Sequence, residues 1–301
     1  MKRDKWLRAG IKLLDNGFNF CVLMLFLLLF LFSSYAIWDS EQLYATGSSK
    51  KYEVYKPDKK ESKSFEELTM LNSDVFGWVS VFGTQIDHPL VQAQDNEKYV
   101  STDVEGNYSM AGSIFLDYKN AKDFSDFNTI VYGHHMEKSA MFGDLDLFFD
   151  QDFFEKHPYG NLYFDGKDHG IEFFAFMEVD AFDTSIFYTP VTGDEAKNTY
   201  LQTIQQKSMY TRPMDISIND RLILLSTCTE NSTNGRHILI GRIVDQVYPD
   251  TFQEAEKTVH KKNFISGLFQ WEKHGWLLMV LLFLLLLGLL LLIMKLKKKR
   301  R

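Results

Sequence analysis

Cysteine is nearly missing from this sequence: 301 residues contain two, Cys21 and Cys228. Cys21 lies in an apolar run near the N-terminus and Cys228 in the polar part of the chain. Cysteines held in different phases cannot bond to each other, so no intramolecular disulfide staples the fold. Cys-x-x-Cys and His-x-x-x-His spacings are absent as well, so nothing reads as a zinc site, and no metal or other cofactor is expected. No segment repeats. The chain carries a formal net charge of −7, yet lysines and arginines crowd its two ends, which leaves the portion between strongly acidic. Such a charge distribution excludes DNA or RNA as a partner.

Two apolar runs, residues 18–38 and 276–294, are each about the 20 residues needed to cross a bilayer. Lys2, Arg3, Lys5, Arg8 and Lys12 precede the first, and Lys295 to Arg301 follow the second. Cytoplasmic flanks carry the excess of basic residues, so both termini are expected inside and everything between the spans outside. The same basic residues suit contacts to anionic lipid. Ser34-Tyr35-Ala36 has the spacing of a signal-peptidase site, but the apolar run continues through Ile37 and Trp38, which favours an uncleaved anchor. The expected order is a basic tail (1–17), a span (18–38), a stalk or helical lead-in (39–63), an extracellular domain (64–248), a polar linker (249–275), a second span (276–294) and a basic tail (295–301).

Within the central portion, Ser64-Phe65-Glu66-Glu67 has the form of a capping box, and Phe65, Leu68, Leu71 and Val75 follow at helical spacing. Short β-prone runs then appear at 78–82, 113–116, 129–132, 161–164, 171–179, 221–225 and 237–244, separated by turn residues. Two helices interrupt them, opening at Asp152-Phe153-Phe154-Glu155 and at Thr192-Gly193-Asp194-Glu195. The fold class is mostly β with peripheral helices (α+β), closed or nearly closed as a barrel.

A lone thiol such as Cys228 reads either as a small buried hydrophobe or as a nucleophile. Two other features bear on that choice. The run 129–132 ends in Gly133-His134-His135, and a glycine there lets the next side chain project from a strand end. Either histidine could exchange protons near neutrality. Arg236 opens the run after Cys228, so a tight loop would bring it beside the thiol. A guanidinium there favours the thiolate and can hold an oxyanion. Together the three residue types suit acyl transfer through a thioester.

At this point the sequence resembles the sortases, membrane-bound cysteine transpeptidases. Leu225-Ser226-Thr227-Cys228 matches their cysteine motif, Tyr132-Gly133-His134 their histidine motif, and Arg236 their arginine. Gly77-Trp78, the segment from Gly83 to Gln92, Gly112-Ser113-Ile114-Phe115-Leu116-Asp117 and Ser139-Ala140-Met141-Phe142-Gly143-Asp144-Leu145 resemble class B in particular. The resemblance implies an eight-stranded β-barrel with a helical lead-in. It also implies Cys228 as nucleophile, His134 as acid/base and Arg236 as oxyanion or substrate stabiliser, with Tyr132, Ser226 and Thr227 beside the substrate. The implied partners are exported surface or pilin proteins bearing a C-terminal sorting motif, and an amine acceptor, either a pilin lysine or a peptidoglycan cross-bridge. Two departures stand out. His88 occupies a position where class B members usually have Tyr. The C-terminal span is more usual in pilus-polymerising class C, whose Asp-Pro lid motif this chain lacks.

Overall fold

The computed structural model describes residues 2–57, 65–228 and 235–252, with the side chains of residues 2–5, 9 and 228 excepted. The C-terminal span, its basic tail, the linker beyond residue 252 and the Ser64 cap lie outside the described residues. Helix α1 (Lys2–Thr46) is continuous and contains the expected 18–38 run. It is long and apolar enough to cross a membrane. The chain divides into two units, and residues 43–258 form the unit that holds the sheet.

Among the described residues that unit contains nine strands: β1 (Val75–Val81), β2 (Asp87–Val91), β3 (Ile114–Leu116), β4 (Asn128–His134), β5 (Tyr159–Phe164), β6 (Lys167–Asp180), β7 (Tyr210–Thr211), β8 (Arg221–Cys228) and β9 (Gly235–Val244). Eight of them close in the order β5-β1-β2-β3-β4-β8-β9-β6, with β6 pairing back to β5. The ninth, β7, adds two residues to the far half of β6. Strand β6 is long enough to serve two neighbours along one edge, and a bulge between Phe173 and Ala175 re-aims it. Two pairs, β2·β3 and β4·β8, are parallel. The expected runs match β1, β3, β4, β5, β6, β8 and β9, whereas β2 and β7 carry no strand signal in the sequence. Pro89 hides β2, and two residues leave no periodicity in β7.

Alternation divides the sheet into an interior and an outer face. Val79, Leu90, Val131, Leu162, Phe173, Ile223, Leu225 and Leu239 fill the barrel. On the outside, Ile130, Leu222, Leu224, Ile238 and Ile240 pack beneath Ile186, Val191, Tyr200 and Ile204. Trp78, Val91 and Phe115 pack beneath Tyr52, Tyr55, Leu68 and Tyr99. Both faces of β8 are therefore covered, which explains its unbroken apolar run from Leu222 to Leu225.

The helices correct several boundaries. Helix α2 stops at Leu71 (Phe65–Leu71), because Val75 belongs to β1. Helix α3 (Gln151–Lys156) is capped by Asp150, whose carboxylate accepts from Phe153 N at 2.8 Å, not by Asp152. Helix α4 (Asp194–Lys207) starts after Gly193, two residues past the expected opening at Thr192, and Gly193 makes no side-chain cap bond. Tyr200 and Ile204, four residues apart, are the buried stripe of α4.

Candidate active site

Strands β4 and β8 run side by side in parallel register, and that register pairs His134 with Cys228. These positions are 94 residues apart in the chain, and the sheet alone makes them neighbours. Strand β9 lies on the other side of β8, with Ser226 opposite Ile238. Arg236 opens β9 beside this row, and its Nη1 donates to the Thr227 carbonyl oxygen at 3.1 Å. By alternation, positions 134 and 236 share the outer face with Tyr132 and Ile238. The three residues singled out from the sequence thus converge at one end of three adjacent strands.

His134 Nε2 lies 2.7 Å from the carbonyl oxygen of Val100. A carbonyl oxygen only accepts, so Nε2 carries the proton. In the neutral ring the basic lone pair is then on Nδ1, the nitrogen free to exchange a proton with a reactant. His135 points elsewhere: its Nε2 is 2.7 Å from Asp146 Oδ2.

Gly133 is needed for a different reason than a sharp turn. It lies inside β4 without the positive φ that the strand-end reading implies. A Cβ there would stand 2.4 Å from Ile114 Cδ1 and 2.8 Å from Phe142 Cδ2. Gly133→Ala is expected to destabilise the barrel by about 1–3 kcal/mol through overpacking. It should also slow acyl transfer by displacing the strand end that carries His134. Heat unfolding together with turnover would show both effects, and an unchanged midpoint would disprove the close packing.

Ser226 and Thr227 are fully buried and present no surface to a ligand. Thr227 supports the site instead. Its carbonyl oxygen receives Arg236, and its Oγ1 accepts from His237 N at 3.1 Å. Tyr132 is half-buried, and its ring lies between Phe115 and Phe187, with centroids 5.4 and 6.5 Å away. Its hydroxyl contacts Asp117 Oδ2 at 3.2 Å.

The wall beside Tyr132 depends on residues that no motif marked. Asn128, fully buried at the start of β4, donates to Tyr188 O at 2.8 Å and accepts from Val191 N at 2.7 Å. Asn120 donates to Thr189 Oγ1 and to Asn128 O, and Thr189 Oγ1 donates to Asn128 O. These bonds seat the segment bearing Phe187 against the outer face. A buried amide left without such partners costs about 1–3 kcal/mol, so the network specifies one loop position.

No protein-family model matches the chain. Sortase B of Listeria monocytogenes serovar 1/2a is 37% identical over 182 residues, covering 59% of this chain and 73% of that protein. A solved sortase B from the type II pilus of Streptococcus pneumoniae is 44% identical with a TM-score of 0.53, covering 61% of this chain and 100% of that one. A Streptococcus pyogenes class B sortase involved in pilus biogenesis is 40% identical with a TM-score of 0.55, covering 60% and 97%. The closed eight-stranded barrel and the identity across most of each relative agree: this chain belongs to the class B sortases, a family of cysteine transpeptidases.

Proposed function

We propose that this enzyme cleaves a C-terminal sorting motif of exported proteins and passes the acyl group to a pilin lysine. Cys228 is the nucleophile, His134 the acid/base and Arg236 the oxyanion stabiliser. The observation that carries the assignment is the strand register, which sets position 134 opposite 228 with Arg236 bonded to the residue before the cysteine.

His134 Nδ1 takes the thiol proton, and the Cys228 thiolate adds to a backbone carbonyl carbon. Arg236 lies where its guanidinium can meet the developing oxyanion, with Nη1 held by Thr227 O. As the C–N bond breaks, His134 gives its proton to the departing amine, and a thioester remains. An incoming amine then attacks the thioester carbon, His134 takes the amine proton back, and Cys228 leaves as the thiolate, which restores the starting thiolate–imidazolium pair. A free thiol is only a few per cent ionised near neutrality, so neighbouring positive charge enlarges the reactive fraction.

Helix α1 is read as the anchor, with both termini cytoplasmic, a second span at 276–294 and the barrel outside. Pilin is preferred to peptidoglycan as acceptor for two reasons. Structures that are 44% and 40% identical come from pilus systems. A second anchor is also more usual among pilin polymerases. Incubating the enzyme with candidate pilins should give covalent ladders that resist boiling in detergent. Transfer to cross-bridge amines with no ladders would replace the pilus reading with cell-wall anchoring. Binding of the sorting motif that is unaffected by Cys228→Ala, with no transfer to any amine by the parent, would leave only a non-catalytic, membrane-tethered binding barrel.

A further inference from the structure

On the opposite side of the strand ends from His134 and Arg236 sits a second cluster that the transfer chemistry does not use. The backbone turns back after β4: His135 forms a bridge with Met141, and Phe142 N donates to His134 O at 3.0 Å. Gly143 makes the reversal possible, since a Cβ there would stand 2.0 Å from Met136 O. A 3-10 segment, Gly143–Phe149, follows and passes beneath the ends of β4 and β9. It carries two carboxylates with different uses. Asp144 is buried and accepts from Gln85 N at 2.6 Å, which ties down a turn. Asp146 instead meets two imidazoles. Its Oδ2 is 2.7 Å from His135 Nε2 and its Oδ1 is 2.6 Å from His237 Nδ1. The two rings stand perpendicular, 6.2 Å apart, and Phe149 packs edge-on against His237 at 4.6 Å.

We propose that Asp146 is a positioning residue of the transfer reaction, a carboxylate brace that holds the ends of β4 and β9 at fixed separation around Cys228. An ionised carboxylate only accepts, so each ring donates to its own oxygen and neither can turn without losing that bond. His135 is covalently next to His134, and His237 is next to Arg236. His237 N also donates to Thr227 Oγ1, so the brace reaches the residue before the nucleophile. Asp146 is half-exposed, its side chain 45% accessible. Exposed ion pairs contribute little to stability, so the expected consequence of the brace is orientation and not fold stability. The proposal rests on the reading of Cys228, His134 and Arg236 as the reacting groups.

Alkylation of Cys228 by iodoacetamide tests this without a known substrate. The full chain carrying Cys21→Ser serves as parent, and the rate is followed from pH 5 to 10. Arg236→Ala and His134→Ala should raise the midpoint of the profile, because nearby positive charge favours the thiolate. Asp146→Ala should raise it by about half a unit or more, because loosened strand ends weaken the same effect, whereas loss of the carboxylate charge alone would lower it. In the parent with both His135→Ala and His237→Ala, the Asp146 change should add nothing further, as expected for groups acting as one unit. A parent-like or lowered profile for Asp146→Ala overturns the brace while the site stands. A full additional shift in the background lacking both imidazoles also overturns it. Profiles unmoved by Arg236→Ala and His134→Ala overturn the site reading itself, and the brace with it.

Discussion

Cys228→Ala is expected to lower acyl transfer by at least about 10³-fold, because removing a nucleophile leaves only the contribution of binding and oxyanion stabilisation. No thioester should be trapped on the variant, whereas the parent should yield an acyl-enzyme visible by intact mass and cleaved by hydroxylamine. Removing the acid/base should cost less: His134→Ala is expected to lose about 10²–10⁴-fold. Arg236→Ala is expected to lose about 10²–10³-fold, the scale measured for one oxyanion donor. The three losses should not add, since each group acts on the same step. Combining His134→Ala with Cys228→Ala should therefore be no worse than Cys228→Ala alone. Transfer by Cys228→Ala within about tenfold of the parent would rule out the thioester route.

The second large effect concerns acid stability and involves no catalytic group. His88 stands on the inward face of β2 with Leu90, opposite Val79. It is 3% exposed, and its Nε2 has no hydrogen-bond partner among the described residues. Burial pushes its pKa down to about 4, with only a partial opposing pull from the Asp87 carboxylate. The unfolded chain takes up this proton near pH 6.5 and the folded barrel near pH 4, so between those values the unfolded state binds more protons. Stability is thus complete above about pH 6.5 and declines as pH falls towards 4, by about 3 kcal/mol in all. His157, stacked between Phe153 and Phe252, is also shifted down, chiefly by burial, and contributes in the same direction. Asp87 does not share this window. Burial raises its pKa, but Lys56 and its hydrogen-bond donors outweigh that and hold it below the ordinary carboxylate range. Its stabilisation persists until the pH falls further. Denaturant unfolding of the barrel between pH 4 and 7 should show the decline, and His88→Leu should remove most of it. An identical pH dependence in His88→Leu would place the acid sensitivity elsewhere.

His88 also illustrates how far a residue string can be read. As a sequence feature it was a departure at a position usually occupied by Tyr, with no role attached. Its consequence comes from facing inward, and that depends on the register of β2 against β1. The same holds for glycine. In the sequence Gly133 reads as a strand-end turn residue, yet its importance is the space taken by Ile114 of β3 and by Phe142 in the turn after β4. Ser226 and Thr227, adjacent to the nucleophile in the chain, are buried supports, and Asp146 was not singled out at all. Short-range spacing cannot reveal a carboxylate that meets residues 11 and 91 positions away.

The amino-acid sequence by itself determined the apolar N-terminal helix, most of the strands, the family and the residue types of the reaction. These depend on local properties: uninterrupted apolar length, alternation, and motifs a few residues long. Tertiary structure alone decided that position 134 faces position 228, that Arg236 is held through the Thr227 carbonyl, and that Asp146 joins two strand ends. The physical reason is the period of the strand. A slip of one residue sends every side chain to the opposite face, and register is set by packing on both sides of a closed sheet, which no short segment encodes.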